Sequence, residues 1–237
     1  MSHSSTRDIS YRQSARLEVP RHWISWTIGL FVATFALGFT AKALPGLRMA
    51  GLDATVNSFY SHLGDTIAKA ADKLDKPTVV GVILVITFLI LLPIAGWRRG
   101  LGVCVATGLG WLTTLPIKAI VAEPRPTGLD LPHQIKIHAA TLSFPSGHVV
   151  FATALVTALM LVSSRRLPRI LIGIIGGIFV LVVAWARIYV GVHYPTDVVG
   201  GIMNGVAGVL LFAGLWNIVF SRRAVAEHEG SPSASTN

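Results

Sequence analysis

Long apolar runs are the feature that most constrains how this chain can fold. A helix that crosses a bilayer needs about 20 consecutive, mainly apolar residues, within a range of roughly 17–25. Several runs reach that length, and one further run is shorter because Pro145-Ser146-Gly147-His148 overlaps its start. The six predicted spans are Trp23–Ala41, Pro77–Trp97, Leu101–Ile117, Val149–Ser163, Ile170–Ala186 and Val198–Phe220. The sequence therefore predicts an all-α bundle of six transmembrane helices.

The charge content of the chain agrees with a bilayer environment. Charged residues make up 13% of the sequence, whereas about 25% is usual in soluble domains. The formal net charge is +9, but the basic residues lie in short clusters between apolar runs. A nucleic-acid site would place them in a patch with interleaved aromatic residues, so we expect a lipid partner and no nucleic acid. The single cysteine, Cys104, excludes a disulfide framework within the chain.

Arginine clusters predict the orientation of the bundle. Loops on the cytoplasmic side of membrane proteins carry an excess of Lys and Arg. With six spans, every cluster in this chain falls on one side. The clusters are Arg7, Arg12, Arg16 and Arg21; Arg98 and Arg99; Arg165, Arg166 and Arg169; and Arg222 and Arg223. We expect a multi-pass protein of the inner (plasma) membrane with both termini cytoplasmic: an N-terminal tail at 1–20, a membrane domain at 21–223 and a disordered tail at 224–237.

The loop between the first two spans has a helical pattern of its own. Apolar residues recur there at helical spacing with polar residues between them: Val56, Phe59, Tyr60, Leu63, Ile67 and Leu74. This spacing predicts an amphipathic helix on the outer, extracytoplasmic surface. Such a helix either covers the entrance of a site or packs on the surface without a functional role.

Polar residues stand at the span ends opposite the arginine clusters. Lys118 follows the third span, Arg187 follows the fifth, and Ser146 to His148 open the fourth. His193 and Asp197 lie just before the sixth span. Because successive helices alternate in direction, we expect all of these residues to meet at the extracytoplasmic face.

Three of these residues are cations that would repel one another. At about 6 Å and an effective dielectric constant of ~20, each pair among Lys118, Arg125 and Arg187 costs roughly 3 kcal/mol. Too few acids lie nearby in the sequence to neutralise all three, so a bound dianion such as phosphate is expected to do so. Ser146 and the amide of Gly147, at the start of a helix, add donors for that anion. Each cation taken alone could instead be an interfacial side chain that reaches for water.

Two histidines complete the predicted site. Asp197 follows His193 by four residues and can accept a hydrogen bond from its imidazole, which fixes the tautomer and stabilises an imidazolium. The other ring nitrogen of His193 is then a plausible nucleophile. His148 is free to act as a general acid on the leaving oxygen.

A metal or nucleotide cofactor is not expected. Asp130, His133 and His138 in the third-to-fourth loop match no metal-ligand template. The sequence has no glycine-rich phosphate loop of the nucleotide-binding type.

The polar residues resemble the motifs of the type 2 phosphatidic acid phosphatase family, which includes bacterial lipid phosphatases and is related to vanadium-dependent haloperoxidases. Its first motif, Lys, six residues, then Arg-Pro, is matched by Lys118 through Arg125-Pro126. Its second motif is matched by Pro145-Ser146-Gly147-His148. Its third motif, Ser-Arg, five residues, His, three residues, Asp, is matched at Arg187, His193 and Asp197, with Ala186 in place of the serine. That departure puts rate or selectivity in question.

The resemblance implies a metal-independent lipid phosphatase. It implies that His193 forms a phosphohistidine, that Asp197 orients it and that His148 protonates the leaving group. The residues implied to hold the phosphoryl oxygens are Lys118, Arg125, Ser146, Gly147 and Arg187. The implied substrate is undecaprenyl diphosphate, phosphatidylglycerophosphate or phosphatidate.

Two other functions stay open at this stage. A lipid phosphotransferase would use the same residues, and a phospholipid transporter would keep the cations without needing His193 or Asp197. The sequence also leaves open the preference for monophosphate or diphosphate and the oligomeric state. The role of Glu123 stays open as well: it either pairs with Arg125 or faces the lipid head group.

Overall fold

The computed structural model of the chain describes residues 15–48, 55–56, 58, 61–126 and 141–229. Within these ranges the chain is helical and contains no β-strand. Asp130, His133 and His138, the aromatic residues Phe59 and Tyr60 of the first loop, Arg7 and Arg12 of the N-terminal tail, and residues 230–237 lie outside them.

The helices follow the apolar runs. They are α1 (Trp23–Ala43), α2 (His62–Ala71), α3 (Pro77–Ala95), α4 (Trp97–Leu112), α5 (Thr114–Val121), α6 (Gly147–Val162), α7 (Arg166–Tyr189) and α8 (Pro195–Glu229), with a short 3-10 turn at Pro45–Arg48. Helices α4 and α5 together form one stretch, Trp97–Val121. Five stretches in the described part are long and apolar enough to cross a membrane: α1, α3, α4 with α5, α7 and α8. Helix α6 has only 16 residues and is shorter than that.

Two boundaries differ from those predicted. Helix α3 ends at Ala95. The next residue, Gly96, has a φ of 81°, which glycine adopts readily, and α4 begins directly after it with Trp97. Arg98 and Arg99 therefore lie in the first turn of α4 and not in a loop. Helix α8 continues to Glu229, so residues 224–229, which were expected to belong to a disordered tail, are helical.

Helix α8 forms the centre of the bundle and packs against α1, α4 and α6. In the apolar 18-residue segment of α8, 61% of the residues are buried, compared with 17% in the corresponding segment of α3 and 22% in that of α7. Backbones touch where α4 crosses α8, because a Cβ built on Gly208 would lie 2.8 Å from the Cα of Gly110. Apolar side chains on α3 and α7 point outward, including Ile94 at 74% and Ile175 at 67% exposure. Outward apolar surface of this extent fits helices that face lipid.

Helix α2 lies in the first loop and packs against α7 through small residues. Its start is capped by Ser61, whose side chain accepts a hydrogen bond from the Gly64 amide at 2.9 Å. Gly64, Ala68 and Ala71 are buried, whereas Leu63 is 70% exposed. The packed face therefore combines small residues with Ile67 and Leu74 of the predicted stripe, whereas Leu63 of that stripe points outward. The close contact that results brings the end of α2 to the site described next.

Candidate active site

The predicted site residues come together at one end of the bundle. They lie at the end of α5 (Lys118), in the segment after it (Arg125), at the start of α6 (Ser146, Gly147 and His148), at the end of α7 (Arg187), in the following turn (His193) and at the start of α8 (Asp197). The chain reverses after α5 because Ala122 adopts a left-handed conformation, with φ of 51°. Segments 123–124 and 142–143 then run side by side, and the Ser143 amide donates to the carbonyl of Glu123 at 2.8 Å.

His193 and Asp197 form a fully buried pair. The imidazole Nδ1 lies 3.2 Å from Asp197 Oδ2, and both side chains are 1% exposed. The same carboxylate oxygen accepts the Tyr194 amide at 2.8 Å, and Oδ1 accepts the Ser143 hydroxyl at 3.3 Å. The i, i+4 spacing thus produces the contact that the sequence predicted, because the chain enters α8 between the two residues.

The second ring nitrogen of His193 faces Arg125. Arg125 Nη1 lies 3.3 Å from His193 Nε2 and also donates to the carbonyl of Val192 at 2.9 Å. A guanidinium only donates hydrogen bonds, so Nε2 accepts and the imidazole proton resides on Nδ1, toward Asp197. Burial and, after it, the positive charges of Arg125 and Lys118 hold the pKa of His193 well below its ordinary value of 6.5. The imidazole is therefore neutral at neutral pH, with its Nε2 lone pair directed at the cationic side of the site.

The other two predicted cations have protein partners. Arg187 donates from Nη1 to Asp72 Oδ1 at 2.9 Å and from Nη2 to the carbonyl of Ala68 at 2.8 Å. Lys118 Nζ donates to the carbonyls of Leu142 and Ser143 at 3.0 and 3.2 Å. The expectation that too few acids lie near the cations is wrong for Arg187, since an acid of the first loop pairs with it.

His148 faces the same loop. Its Nε2 lies 3.1 Å from the carbonyl oxygen of Asp72, and its Nδ1 lies 3.6 Å from Asp75 Oδ2. Asp75 Oδ1 accepts a hydrogen bond from the Trp111 indole at 2.7 Å. Sequence reasoning missed Asp72, Asp75 and Trp111 as site residues. For the two acids, the signal in the sequence was their spacing of three residues directly after α2.

Within the described residues, Ser146 Oγ and Arg187 Nε are two of several buried polar atoms in this region that have no hydrogen-bond partner. Leaving a buried polar group unsatisfied costs about 1–3 kcal/mol. A bound anion with several oxygens would satisfy both of them. They are accordingly a structural reason to expect a ligand here.

Two positions left open by the sequence can now be located. Glu123 is buried, at 1% exposure, so its side chain does not face a lipid head group at the surface. Ala186 is fully buried in an apolar cluster with Ala68 and Ala71, where α2 packs on α7.

A groove of about 360 Å³ adjoins the site between α3 and the α4–α5 stretch. We call it the outer groove, and it is lined by Asp75, Pro77, Trp111, Leu112, Thr114, Leu115 and Lys118. Leu112 and Leu115, on its wall, are 42% and 63% exposed. The groove thus joins an apolar surface to the charged residues Asp75 and Lys118.

Among the described residues, no group of three or more His, Cys, Asp or Glu side chains is arranged to hold a metal ion.

Comparison with known proteins identifies a family whose profile matches the region that holds these residues. The sequence profile of the PAP2 superfamily matches residues 99–222, which are 124 of the 237 residues and include every predicted site residue. The chain is 35% identical over 109 residues to the undecaprenyl-diphosphatase BcrC of Bacillus subtilis, covering 45% of this chain and 52% of that protein. It is 30% identical over 168 residues to phosphatidylglycerophosphatase B of the same organism, covering 62% of this chain and 79% of that protein.

The fold also resembles a solved structure. A crystal structure of a transmembrane PAP2-type phosphatidylglycerolphosphate phosphatase from Bacillus subtilis superposes with a TM-score of 0.65 at 21% identity. The superposition covers 80% of this chain and 94% of that one. At this level of identity the likeness concerns the fold.

Proposed function

This chain belongs to the PAP2 superfamily, and from that premise we propose that it hydrolyses the phosphate or diphosphate of a membrane lipid through a phosphohistidine intermediate. Undecaprenyl diphosphate and phosphatidylglycerophosphate are the first candidates, since the relatives with 35% and 30% identity are named for these substrates. The observation that carries the proposal is the buried Asp197–His193 pair, whose free nitrogen faces Arg125.

The phosphoryl group would lie between Arg125, the start of α6 and Arg187. Arg125 already contacts His193 Nε2, so an anion on this guanidinium would be within reach of that nitrogen. Ser146 Oγ and Arg187 Nε, both buried without partners, would donate to phosphoryl oxygens. The amide of Gly147 and the positive end of the α6 dipole would add to the binding, and Lys118 would supply a further positive charge.

The reaction would then proceed in two displacements. In the first, the Nε2 lone pair of His193 forms a bond to phosphorus, the bond from phosphorus to the lipid oxygen breaks, and His148 gives that oxygen a proton. The imidazolium formed at His193 keeps its proton on Nδ1, and that proton is hydrogen-bonded to the Asp197 carboxylate. In the second, a water oxygen forms a bond to phosphorus and gives a proton to His148, and the bond from phosphorus to His193 Nε2 breaks, which releases inorganic phosphate.

The outer groove explains why the substrate would be a lipid. Its walls at Trp111, Leu112 and Leu115 are apolar, and its charged residues are Asp75 and Lys118. A lipid chain lying there would hold the phosphate at the site while remaining in contact with the bilayer. This arrangement supports an amphiphilic substrate over a soluble phosphate ester.

We propose the six-span topology with the site on the extracytoplasmic side. Helix α6, at 16 residues, is about 24 Å long, somewhat shorter than a hydrocarbon core of ~30 Å. It would complete its crossing with the segment before it, which carries the phosphate-binding residues. Arg98 and Arg99 lie in the first turn of α4. Arg165 directly precedes α7, and Arg166 and Arg169 lie in its first turn, at the opposite end of the bundle from the site. This placement fits a cytoplasmic location for that end. Helix α2 would lie over the site at the outer surface.

The direct test is release of inorganic phosphate from a panel of lipid phosphates by the purified protein in mixed micelles. We expect release from at least one isoprenoid or glycerolipid phosphate. His193→Ala should reduce it by about 10³-fold or more, while the matched control His22→Ala, at an exposed position before α1, should not change it. Release that is unaffected by His193→Ala would refute the proposed mechanism. Addition of sugar or lipid acceptors tests for phosphotransfer, which would lower the yield of free phosphate.

A further inference from the structure

Two acids of the first loop lie inside the proposed phosphate site. Asp72 and Asp75 follow α2 and precede α3, and we call residues 72–75 the acidic turn. Both side chains are partly exposed, at 36% and 31%. The turn therefore borders both the site and the outer surface.

Asp75 occupies the space in front of the α6 helix start. A methyl group built on Gly147 would lie 2.6 Å from Asp75 Oδ2 and 2.8 Å from Oδ1, so the carboxylate lies directly on this glycine. Oδ2 also faces His148 Nδ1 at 3.6 Å, and the Trp111 indole holds Oδ1 at 2.7 Å. An anion bound at the start of α6 would need this same space.

Asp72 occupies a second part of the site. Its Oδ1 accepts a charge-assisted hydrogen bond from Arg187 at 2.9 Å. Its backbone carbonyl lies 3.1 Å from Nε2 of His148. Two donors assigned to the substrate phosphate, Arg187 and the α6 start, are thus covered by carboxylates of the protein itself.

We propose that Asp75, assisted by Asp72, is a specificity-determining residue: its carboxylate takes the place of the phosphate when the site is free, and the substrate must displace it. This inference rests on the proposed function and deepens it. A tethered carboxylate competes at a high effective concentration, so it disfavours small free anions, including the inorganic phosphate that the reaction releases. A lipid phosphate competes better because its chain also binds in the outer groove.

The test is direct binding of inorganic phosphate and vanadate to the purified protein in detergent, measured by isothermal titration. Asp75→Asn keeps the shape of the side chain and removes its charge, so we expect it to bind both anions about tenfold more tightly than the unmodified chain. Trp111→Phe keeps an aromatic ring against Phe151 and removes the hydrogen bond to Asp75. We expect it to act in the same direction by a smaller factor.

The matched control is Asp65→Asn. Asp65 lies on α2 and accepts a hydrogen bond from the Tyr189 hydroxyl at 3.0 Å, so the change removes the same charge from the same loop without touching the phosphate site. Its anion affinity should equal that of the unmodified chain. Affinity that is unchanged or weaker in Asp75→Asn, or equally raised in Asp65→Asn, would overturn the inference. If Asp75→Asn does not fold, unchanged affinity in Trp111→Phe would overturn it.

Lipid phosphate hydrolysis by the same preparation separates the two levels of the proposal. If Asp75→Asn binds anions more tightly but the unmodified chain hydrolyses no lipid phosphate, the role of the acidic turn as an anion competitor would stand and the proposed phosphatase activity would be rejected. Hydrolysis by the unmodified chain without a gain in anion affinity on Asp75→Asn would retain the phosphatase and reject the role of Asp75.

Discussion

Replacement of Asp197 by asparagine separates the charge of this residue from its hydrogen bonds. Oδ2 accepts from His193 Nδ1 and from the Tyr194 amide, and an amide oxygen at this position keeps both bonds. The amide nitrogen of the asparagine would then face Ser143 Oγ and could donate a hydrogen bond to it. Ser143 Oγ lies 3.2 Å from the carbonyl oxygen of Pro124 and could continue to donate its own proton there. The folded structure and the imidazole tautomer should therefore survive the change, and only the negative charge is lost.

The magnitude follows from the charge that develops on His193. Phosphorylation at Nε2 makes an imidazolium whose Nδ1 lies 3.2 Å from the carboxylate oxygen. At a charge separation of about 4 Å and an effective dielectric constant of ~20, that interaction is about 4 kcal/mol, which corresponds to a rate factor of about 10³. We expect kcat of Asp197→Asn to fall by about that factor and KM to stay nearly constant, because the carboxylate faces His193, Tyr194 and Ser143 and would not contact the bound phosphate.

The assay is steady-state phosphate release from the preferred lipid, with thermal unfolding as a check on folding. Ser143→Ala is the matched control, since it removes one hydrogen bond to Asp197 and leaves the charge. We expect it to lose less than about tenfold in kcat. A loss below tenfold in Asp197→Asn, or an equal loss in both variants, would refute the electrostatic role of Asp197.

Three further outcomes follow from the same geometry. Arg125→Gln removes a charge that holds down the pKa of His193, so that pKa rises and the acid limb of the kcat/KM profile moves to higher pH; a limb that stays in place would contradict this. Gly208→Ala places a methyl group 2.8 Å from Gly110 Cα and should lower stability by about 1–3 kcal/mol. Gly177→Ala, with nothing within 4 Å, should be neutral in the same thermal unfolding assay; equal losses would contradict the close helix contact. Vanadate should inhibit as a transition-state mimic, whereas a chelator should leave the rate unchanged; activity that is lost in chelator and restored by a divalent metal would contradict a metal-independent route.

The parts of the fold that depend on local pattern were predictable from the sequence. Trp23 and Pro77 begin α1 and α3 where the apolar runs begin, because a bilayer-crossing helix must satisfy its backbone internally. The His193–Asp197 contact was predictable for a similar reason, since the two residues are four positions apart along the chain. Such features are encoded within one or two turns of helix.

The acids at the site could not be predicted in this way. Asp72 meets Arg187 across 115 residues of sequence, and Asp75 meets Trp111 across 36. The contact with Arg187 arises because α2 packs on α7 through Gly64, Ala68 and Ile67, and the apolar stripe of α2 does not indicate which helix it packs against. The charge balance of the first loop was visible in the sequence, whereas the partners of its acids depend on tertiary packing.

The central claim is that His193 carries the phosphoryl group during turnover, and trapping that intermediate tests it most directly. A lipid phosphate labelled in its terminal phosphate is mixed with the protein, quenched with alkali within milliseconds and analysed by peptide mass spectrometry. The account predicts an alkali-stable, acid-labile phosphoramidate on His193 that is absent from His193→Ala and accumulates during the first turnover. Turnover of the lipid with no label on His193, or with label on another residue, would contradict it.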